Sequence, residues 1–169
     1  MGSVRFVTPD APQVFDDDAT LRQWYSVAGA TAENRAARVA AAAADFDRVI
    51  DAEVARAGTV AARTVLVGFS QGGAMALDAI GRGRDFAGLV VLSTRLAEPP
   101  RRRLDAFRVG IVHGEADRVI AVGEAERIRD VLVAAGAVVD LVRIPGGDHA
   151  IDLAAAKAAL ALLQRMDRG

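Results

Sequence analysis

Short apolar runs alternate along this chain with longer stretches in which the larger apolar residues recur at helical spacing. The longer stretches predict helices, two of which are followed by a glycine stop, Gly58 and Gly136. Residues 10–31 show neither pattern and are expected to form a loop. The apolar runs predict strands at Val4–Thr8, Thr64–Val67, Gly88–Leu92, Val109–Val112 and Val138–Ile144. The predicted helices cover Ala32–Ala57, Gln71 to near Gly81, Gly123–Ala135 and Ile151–Met166.

The order of these elements indicates the fold class. Strands that are separated by helices imply a mostly parallel sheet, because a parallel connection needs a crossover and the crossover is usually a helix. Strands buried on both faces read as continuous apolar runs, as these do. The prediction is a single domain over residues 1–169 with an α/β, doubly wound fold, about five strands and helices on both faces.

Composition removes several classes of function. The formal net charge of -1 at pH 7 gives no indication of nucleic acid binding. The absence of cysteine excludes disulfides and a cysteine nucleophile, and two histidines argue against a multi-histidine metal site, so no metal or other cofactor is expected. The longest uncharged run, Thr64–Leu77, is too short to span a bilayer. No signal peptide is visible, so a cytoplasmic location is expected.

The segment Gly68-Phe69-Ser70-Gln71-Gly72 matches the pattern G-x-S-x-G, with a predicted strand before it and a predicted helix after it. In that context the small residues allow a sharp turn that projects the serine hydroxyl above the sheet. The helix N-terminus then directs backbone N–H groups to the place where an oxyanion would form. The alternative is a tight turn that happens to contain serine.

A serine nucleophile needs a base, and the base needs an acid that orients it. Only His149 lies far enough downstream to leave room for an acid, whereas His113 sits at a strand end where a structural role is expected. Asp117 is preferred over Glu115 as the acid because it lies deeper in its loop. Asp148 and Asp152 are expected to act in a turn or as helix caps. Ser70, Asp117 and His149 each follow a different predicted strand, so all three reach the carboxyl edge of a parallel sheet.

The chain resembles the phospholipase/carboxylesterase family of α/β-hydrolases, which includes acyl-protein thioesterases and lysophospholipases. The resemblance implies that Ser70 is the nucleophile, Asp117 the acid and His149 the general base. It also implies that Gln71 gives one oxyanion N–H and that Trp24 and Gln71 line the substrate pocket, although Trp24 could equally be a structural aromatic. The matching words are RFVTPDAP (5–12), WY (24–25), VLVGFSQGGAMAL (65–77), VVLSTRL (90–96), VHGEADRVI (112–120) and GGDHAI (146–151), in family order.

Two departures from the family pattern affect the expectations. Ser26 stands where the family has an aspartate after its tryptophan-aromatic pair, so that side of the pocket differs. No Leu-His-Gly-type word precedes Ser70, which implies an N-terminally shortened fold that lacks one strand and the second oxyanion donor. A truncated chain or gene, a donor from elsewhere, or a degenerate member kept for binding would each account for this. An unpaired sheet edge would also invite homodimerisation.

The expected function is a serine hydrolase that cleaves small or lipid-like carboxylic esters through an acyl-enzyme. Removing one oxyanion donor costs about 10²–10³ in rate, so a slow esterase is expected. Thioesterase or lysophospholipase specificity is the alternative within the same chemistry. A weakly active hydrolase-fold module that binds a ligand or partner is the alternative from another class.

Overall fold

The computed structural model describes residues 4–166, which form a four-stranded parallel sheet, a small antiparallel hairpin and four α-helices. The parallel sheet has the order β3-β4-β5-β6, so each strand pairs with the next along the chain. The elements are β1 (Gln13–Phe15), β2 (Asp18–Gln23), α1 (Ala32–Arg56), β3 (Val65–Phe69), α2 (Gln71–Arg82), β4 (Gly88–Leu92), β5 (Arg108–Gly114), α3 (Gly123–Ala134), β6 (Val138–Ile144) and α4 (Leu153–Met166).

Helices cover both faces of the sheet, as the doubly wound prediction requires. On one face α1, α2 and α3 pack with Leu66, Leu89 and Ile111 into the larger core. On the other face α4 packs through Leu162 against residues of β4 and β5 such as Val90. The five residues of β4 are all buried, because the strand lies inside the sheet and is covered on both faces. None of the helices in residues 4–166 is long and apolar enough to cross a membrane.

The predicted helices are confirmed with small changes at their ends. Helix α1 begins after Thr31, whose side chain and that of Asn34 form a reciprocal capping box, and Gly58 follows its end with φ 67°. Helix α2 extends slightly beyond the predicted Gly81 and ends at Gly83, which has φ 110°. Positive φ favours glycine at both positions because it has no Cβ.

The prediction of a strand at Val4–Thr8 is wrong, and so is the prediction of a loop over residues 10–31. Residues 4–12 contain no strand, and Val4 and Phe6 are each 72% exposed. An apolar run becomes a strand only where another strand satisfies its backbone, and no strand in residues 4–166 pairs with this one. The loop instead contains the hairpin β1–β2, and the parallel sheet has four strands rather than about five.

Candidate active site

Ser70 lies at the turn between β3 and α2 in a backbone conformation that serine rarely adopts, with φ 50° and ψ -114°. The turn is possible because glycines allow close approach: a Cβ on Gly68 would lie 2.6 Å from backbone atoms of Gly72 and Gly73. The segment that follows β4 also stabilises the turn, since Thr94 Oγ1 donates a hydrogen bond of 2.7 Å to the Ser70 carbonyl. Strain of this kind costs about 1–3 kcal/mol and persists only where the surroundings impose it.

Asp117 lies in the loop after β5 with its side chain removed from solvent. Its Oδ1 accepts hydrogen bonds from the backbone N–H groups of Val119 and Ile120, at 2.9 and 2.7 Å. Its Oδ2 lies 2.8 Å from His149 Nδ1. Burial acts to raise the pKa of Asp117, but the hydrogen bonds from Ile120, His149 and Val119 outweigh it and hold the pKa below its usual value. The carboxylate is therefore kept charged beside the imidazole.

His149 connects the acid to the serine. Its Nδ1 faces Asp117 Oδ2 and its Nε2 lies 3.1 Å from Ser70 Oγ. The ring also lies against Phe69, with 4.9 Å between the ring centroids. Residues separated by 79 positions in sequence thus come within hydrogen-bond distance because the carboxyl ends of β3 and β6 lie at the same edge of the sheet.

The acid loop and the histidine loop are joined by an exposed ion pair. Asp148 Oδ2 accepts hydrogen bonds from Arg118 Nη2 and Nε at 2.6 and 3.1 Å. Asp148 Oδ1 accepts from the backbone N–H of His149 at 2.8 Å. These contacts, with Arg118 first, lower the pKa of Asp148 to about 2. Asp148 therefore acts in the turn, and Asp152 caps α4 by accepting from the Ala155 N–H at 2.8 Å, both as expected.

The side chain of Gln71 attaches the Trp24-Tyr25 segment to the serine turn. Its Oε1 accepts from the Trp24 N–H and its Nε2 donates to the Tyr25 carbonyl, both at 3.0 Å. Trp24 is 8% exposed and packs edge-on against Phe46, with ring centroids 4.9 Å apart. These contacts give Trp24 and the Gln71 side chain a structural role. Their part in a substrate pocket stays a prediction, as does the Gln71 N–H as oxyanion donor at the start of α2.

His113 is buried in β5, in agreement with the structural role expected of it. Its Nε2 lies 2.8 Å from the Ile120 carbonyl and 3.4 Å from Asp117 Oδ2. Because Nε2 faces a carbonyl and a carboxylate, which both accept, the ring proton is assigned to it, and residues 4–166 provide no hydrogen-bond partner for the buried Nδ1. His113 thus supports the loop that carries Asp117.

Several residues beside the candidate site were not singled out from the sequence. Thr94 had no signal in the sequence, because its position opposite Gly73, where a Cβ would lie 2.7 Å from its side chain, is set by the fold. Arg95 and the two-way contact of Gln71 had none either. Within residues 4–166 no group of three or more His, Asp and Glu side chains is placed to hold a metal ion. The expectation that no cofactor is needed stays a prediction.

A parallel sheet with helices on both faces and a serine on a strained strand-to-helix turn defines an α/β-hydrolase fold. The chain belongs to the phospholipase/carboxylesterase family: the model of the family described as Phospholipase/Carboxylesterase matches residues 2–166.

Individual relatives agree with this assignment. The chain is 36% identical over 132 residues to the Escherichia coli (strain K12) protein Esterase YpfH, a match that covers 78% of this chain and 57% of that protein. The chain thus spans little more than half the length of this curated relative. Among solved structures it is similar to esterase PE8, with a TM-score of 0.86, 26% identity and coverage of 95% of this chain and 78% of the other. Arabidopsis thaliana SOBER1 shares the fold, with a TM-score of 0.68, 22% identity and coverage of 94% and 80%.

Proposed function

We propose that this protein is a serine hydrolase that cleaves carboxylic esters, with Ser70 as nucleophile, His149 as general base and Asp117 as the acid that orients it. The single observation that carries the proposal is the chain of hydrogen bonds from Ser70 Oγ through His149 to Asp117, at 3.1 and 2.8 Å. Membership of the phospholipase/carboxylesterase family and similarity to Esterase YpfH and esterase PE8 support ester hydrolysis as the reaction.

The proposed mechanism begins when Ser70 Oγ attacks the ester carbonyl and His149 Nε2 accepts the hydroxyl proton. Before this step Asp117 keeps the proton of the neutral imidazole on Nδ1, and after it the same hydrogen bond stabilises the imidazolium. The oxyanion forms at the N-terminus of α2, where the Gln71 N–H has no partner within the helix. The tetrahedral intermediate collapses, His149 gives its proton to the leaving alkoxide, and the alcohol departs. Water then attacks the acyl-enzyme by the same steps, which releases the carboxylic acid and restores Ser70.

The test is the hydrolysis of p-nitrophenyl acetate and butyrate by the wild type and by Ser70→Ala. Loss of the nucleophile should lower kcat by up to about 10⁶, which leaves only the residual catalysis that substrate binding and the oxyanion donor provide. Ser93→Ala is the matched control, because Ser93 follows β4 as Ser70 follows β3 and has a similar φ of 43°. It should retain wild-type turnover. Ester hydrolysis by Ser70→Ala at the wild-type rate would contradict the proposal.

The substrate class within ester hydrolysis includes small esters and lipid-like acyl esters, with thioester or lysophospholipid cleavage as the alternative. Rates on p-nitrophenyl esters of two to sixteen carbons, beside acyl-CoA and a lysophospholipid, separate these specificities. A preference for long acyl chains that is lost in Ser70→Ala assigns the lipid-like class.

A second candidate is a hydrolase-fold module that binds a partner or a second copy of itself. The observation that favours it is the edge position of β3, which has no strand on its outer side within residues 4–166 and leaves Val67 52% exposed. Such an edge can template further strand pairing. Failure of Ser70 to react with a fluorophosphonate, together with a dimer in light scattering, would favour this candidate over the esterase.

A further inference from the structure

Arg95 lies beside the candidate site, joined to both its serine and its acid loops. The preceding residue, Thr94, donates to the Ser70 carbonyl at 2.7 Å. The guanidinium of Arg95 donates through Nη2 to the Val119 carbonyl at 2.7 Å, and the Val119 N–H in turn donates to Asp117. This backbone contact uses one donor of a group that carries five. Arg95 is half-buried, and its contact with the acid loop places the guanidinium at the carboxyl edge of the sheet, where Ser70 and His149 meet.

Three arginines act electrostatically on Tyr25, whose backbone is bound to the serine turn. Tyr25 is bound to the turn through its carbonyl and the Gln71 side chain. Burial raises the pKa of Tyr25, and the charges of Arg35, Arg95 and Arg38 act in the opposite direction. Gln71 and Thr94 thus hold the chain at Tyr25 and next to Arg95 against the serine turn.

Most arginines in residues 4–166 form ion pairs, and Arg35, Arg38 and Arg95 belong, with Arg5, Arg22, Arg63 and Arg108, to those that do not. Arg82 binds both Asp47 and Asp78, and the exposed run of arginines binds acidic neighbours, as in the pair of Arg102 with Asp85. Within residues 4–166 no carboxylate forms an ion pair with Arg35, Arg38 or Arg95.

Arg38 and Arg35 are partly accounted for by their surroundings. Arg38 donates to the carbonyls of Ser26 and Ala28 at 2.6 and 2.9 Å. Arg35 lies near Glu33, whose pKa is lowered first by a hydrogen bond with Thr31 and to a smaller extent by the charge of Arg35. Arg95 instead bonds to the acid loop through the Val119 carbonyl, which makes it the best placed of these three arginines to bind an anion beside the candidate site.

The geometry points to an anion subsite at Arg95 that binds a carboxylate carried by the ester substrate away from the scissile bond. A guanidinium can bind a carboxylate through two parallel N–H···O bonds, which positions as well as attracts the group. This proposal rests on the proposed function and narrows its substrate class. The preferred substrate is an ester that carries a carboxylate, and the same serine hydrolyses the neutral counterpart with lower efficiency.

The test compares two pairs of esters with wild type and Arg95→Gln. The acyl-side pair is p-nitrophenyl hydrogen succinate and p-nitrophenyl methyl succinate. The alcohol-side pair is 4-carboxyphenyl acetate and its methyl ester. The measured quantity is the fold-change in kcat/KM on mutation for each ester, so that differences in intrinsic reactivity cancel.

Arg95→Gln should lower kcat/KM about tenfold more for one of the two anionic esters than for its neutral counterpart, since a bond to a charged group is lost. The loss should lie mainly in KM, because a group remote from the reacting carbonyl is bound equally in the ground state and the transition state. Arg95→Lys, which keeps the charge without the fork, should lose less. The member of the pair that responds assigns the carboxylate to the acyl or the alcohol side.

Arg108→Gln is the matched control, because Arg108 is exposed, makes no ion pair in residues 4–166 and lies at the amino end of β5, at the opposite edge of the sheet. It removes the same charge from the overall field and should change none of the four rates. Equal losses on neutral and anionic esters in Arg95→Gln, or no loss on either anionic ester, would overturn the subsite. Absence of Ser70-dependent hydrolysis for all four esters would instead overturn the proposed function itself.

Discussion

Gly114, the last residue of β5, is the position at which one methyl group should disturb the candidate site most directly. A Cβ at this residue would lie 2.6 Å from the carbonyl carbon of Gly147, nearer still to its oxygen, and 2.9 Å from the carbonyl oxygen of Asp148. These are backbone atoms of the segment that leads into His149, so no side-chain rotation can relieve the clash. Gly114→Ala therefore has to push the histidine loop away from the sheet.

The size of the effect follows from these distances. Side-chain Cβ atoms essentially never come within 3.0 Å of another heavy atom, so the 2.6 Å contact requires a shift of at least about 0.4 Å. Overpacking of this kind costs about 1–3 kcal/mol in the free energy of unfolding. For a chain of this length each kcal/mol lowers Tm by about 2–4 °C, which gives a fall of about 2–12 °C. Displacement of His149 relative to Ser70 should lower kcat by about 10- to 100-fold, since a misplacement near 1 Å can cost about 10².

The assay is a thermal melt followed by circular dichroism, together with kcat on p-nitrophenyl butyrate. Gly123→Ala is the matched control, because Gly123 begins α3 and a Cβ there would meet nothing within 4 Å. It should leave kcat unchanged and raise stability slightly, by about 0.4–1 kcal/mol, by restricting the unfolded chain. If Gly114→Ala melts and turns over like the wild type, the reasoning from close backbone approach is refuted.

Three further outcomes concern the support of the imidazole. Asp117→Asn should lower kcat by about 10⁴, because the amide can fix the wrong tautomer of His149, and ester kinetics showing less than a tenfold loss would contradict this. Since its pKa is depressed, Asp117 contributes stability that is fully present above its ordinary pKa of 3.8 and is lost as the pH falls further; the wild type's advantage over Asp117→Asn in urea denaturation should shrink below that pH. His113→Leu should destabilise by about 1–3 kcal/mol by leaving the Ile120 carbonyl unpaired in the interior, and His113→Gln, which keeps a donor, should recover part of that loss in the same denaturation series.

The sequence by itself determined the α/β class and the positions of the three candidate residues along the strands. Apolar runs such as Gly88–Leu92 are buried strands because a run of that length without alternation has to be covered on both faces. Ser70, Asp117 and His149 could be selected because each follows a strand, and parallel strands bring their carboxyl ends to one edge. The order of strands and helices along the chain was therefore enough to predict that these three residues lie at the same edge of the sheet.

Only the tertiary structure decided which backbone and side-chain groups find partners. Val4–Thr8 has the composition of a strand, but the part of the chain that the structure describes offers no strand beside it, whereas the polar residues Asp18–Gln23 form a strand because β1 pairs with them. The contact of Gln71 with the Trp24-Tyr25 backbone and that of Arg95 with Val119 join segments distant in sequence. Hydrogen bonds and ion pairs between such segments depend on directions and distances set by the whole fold. Periodicity along the chain indicates which residues are buried, but it does not indicate which groups form hydrogen bonds or ion pairs with one another. Those contacts orient the side chains of the candidate site.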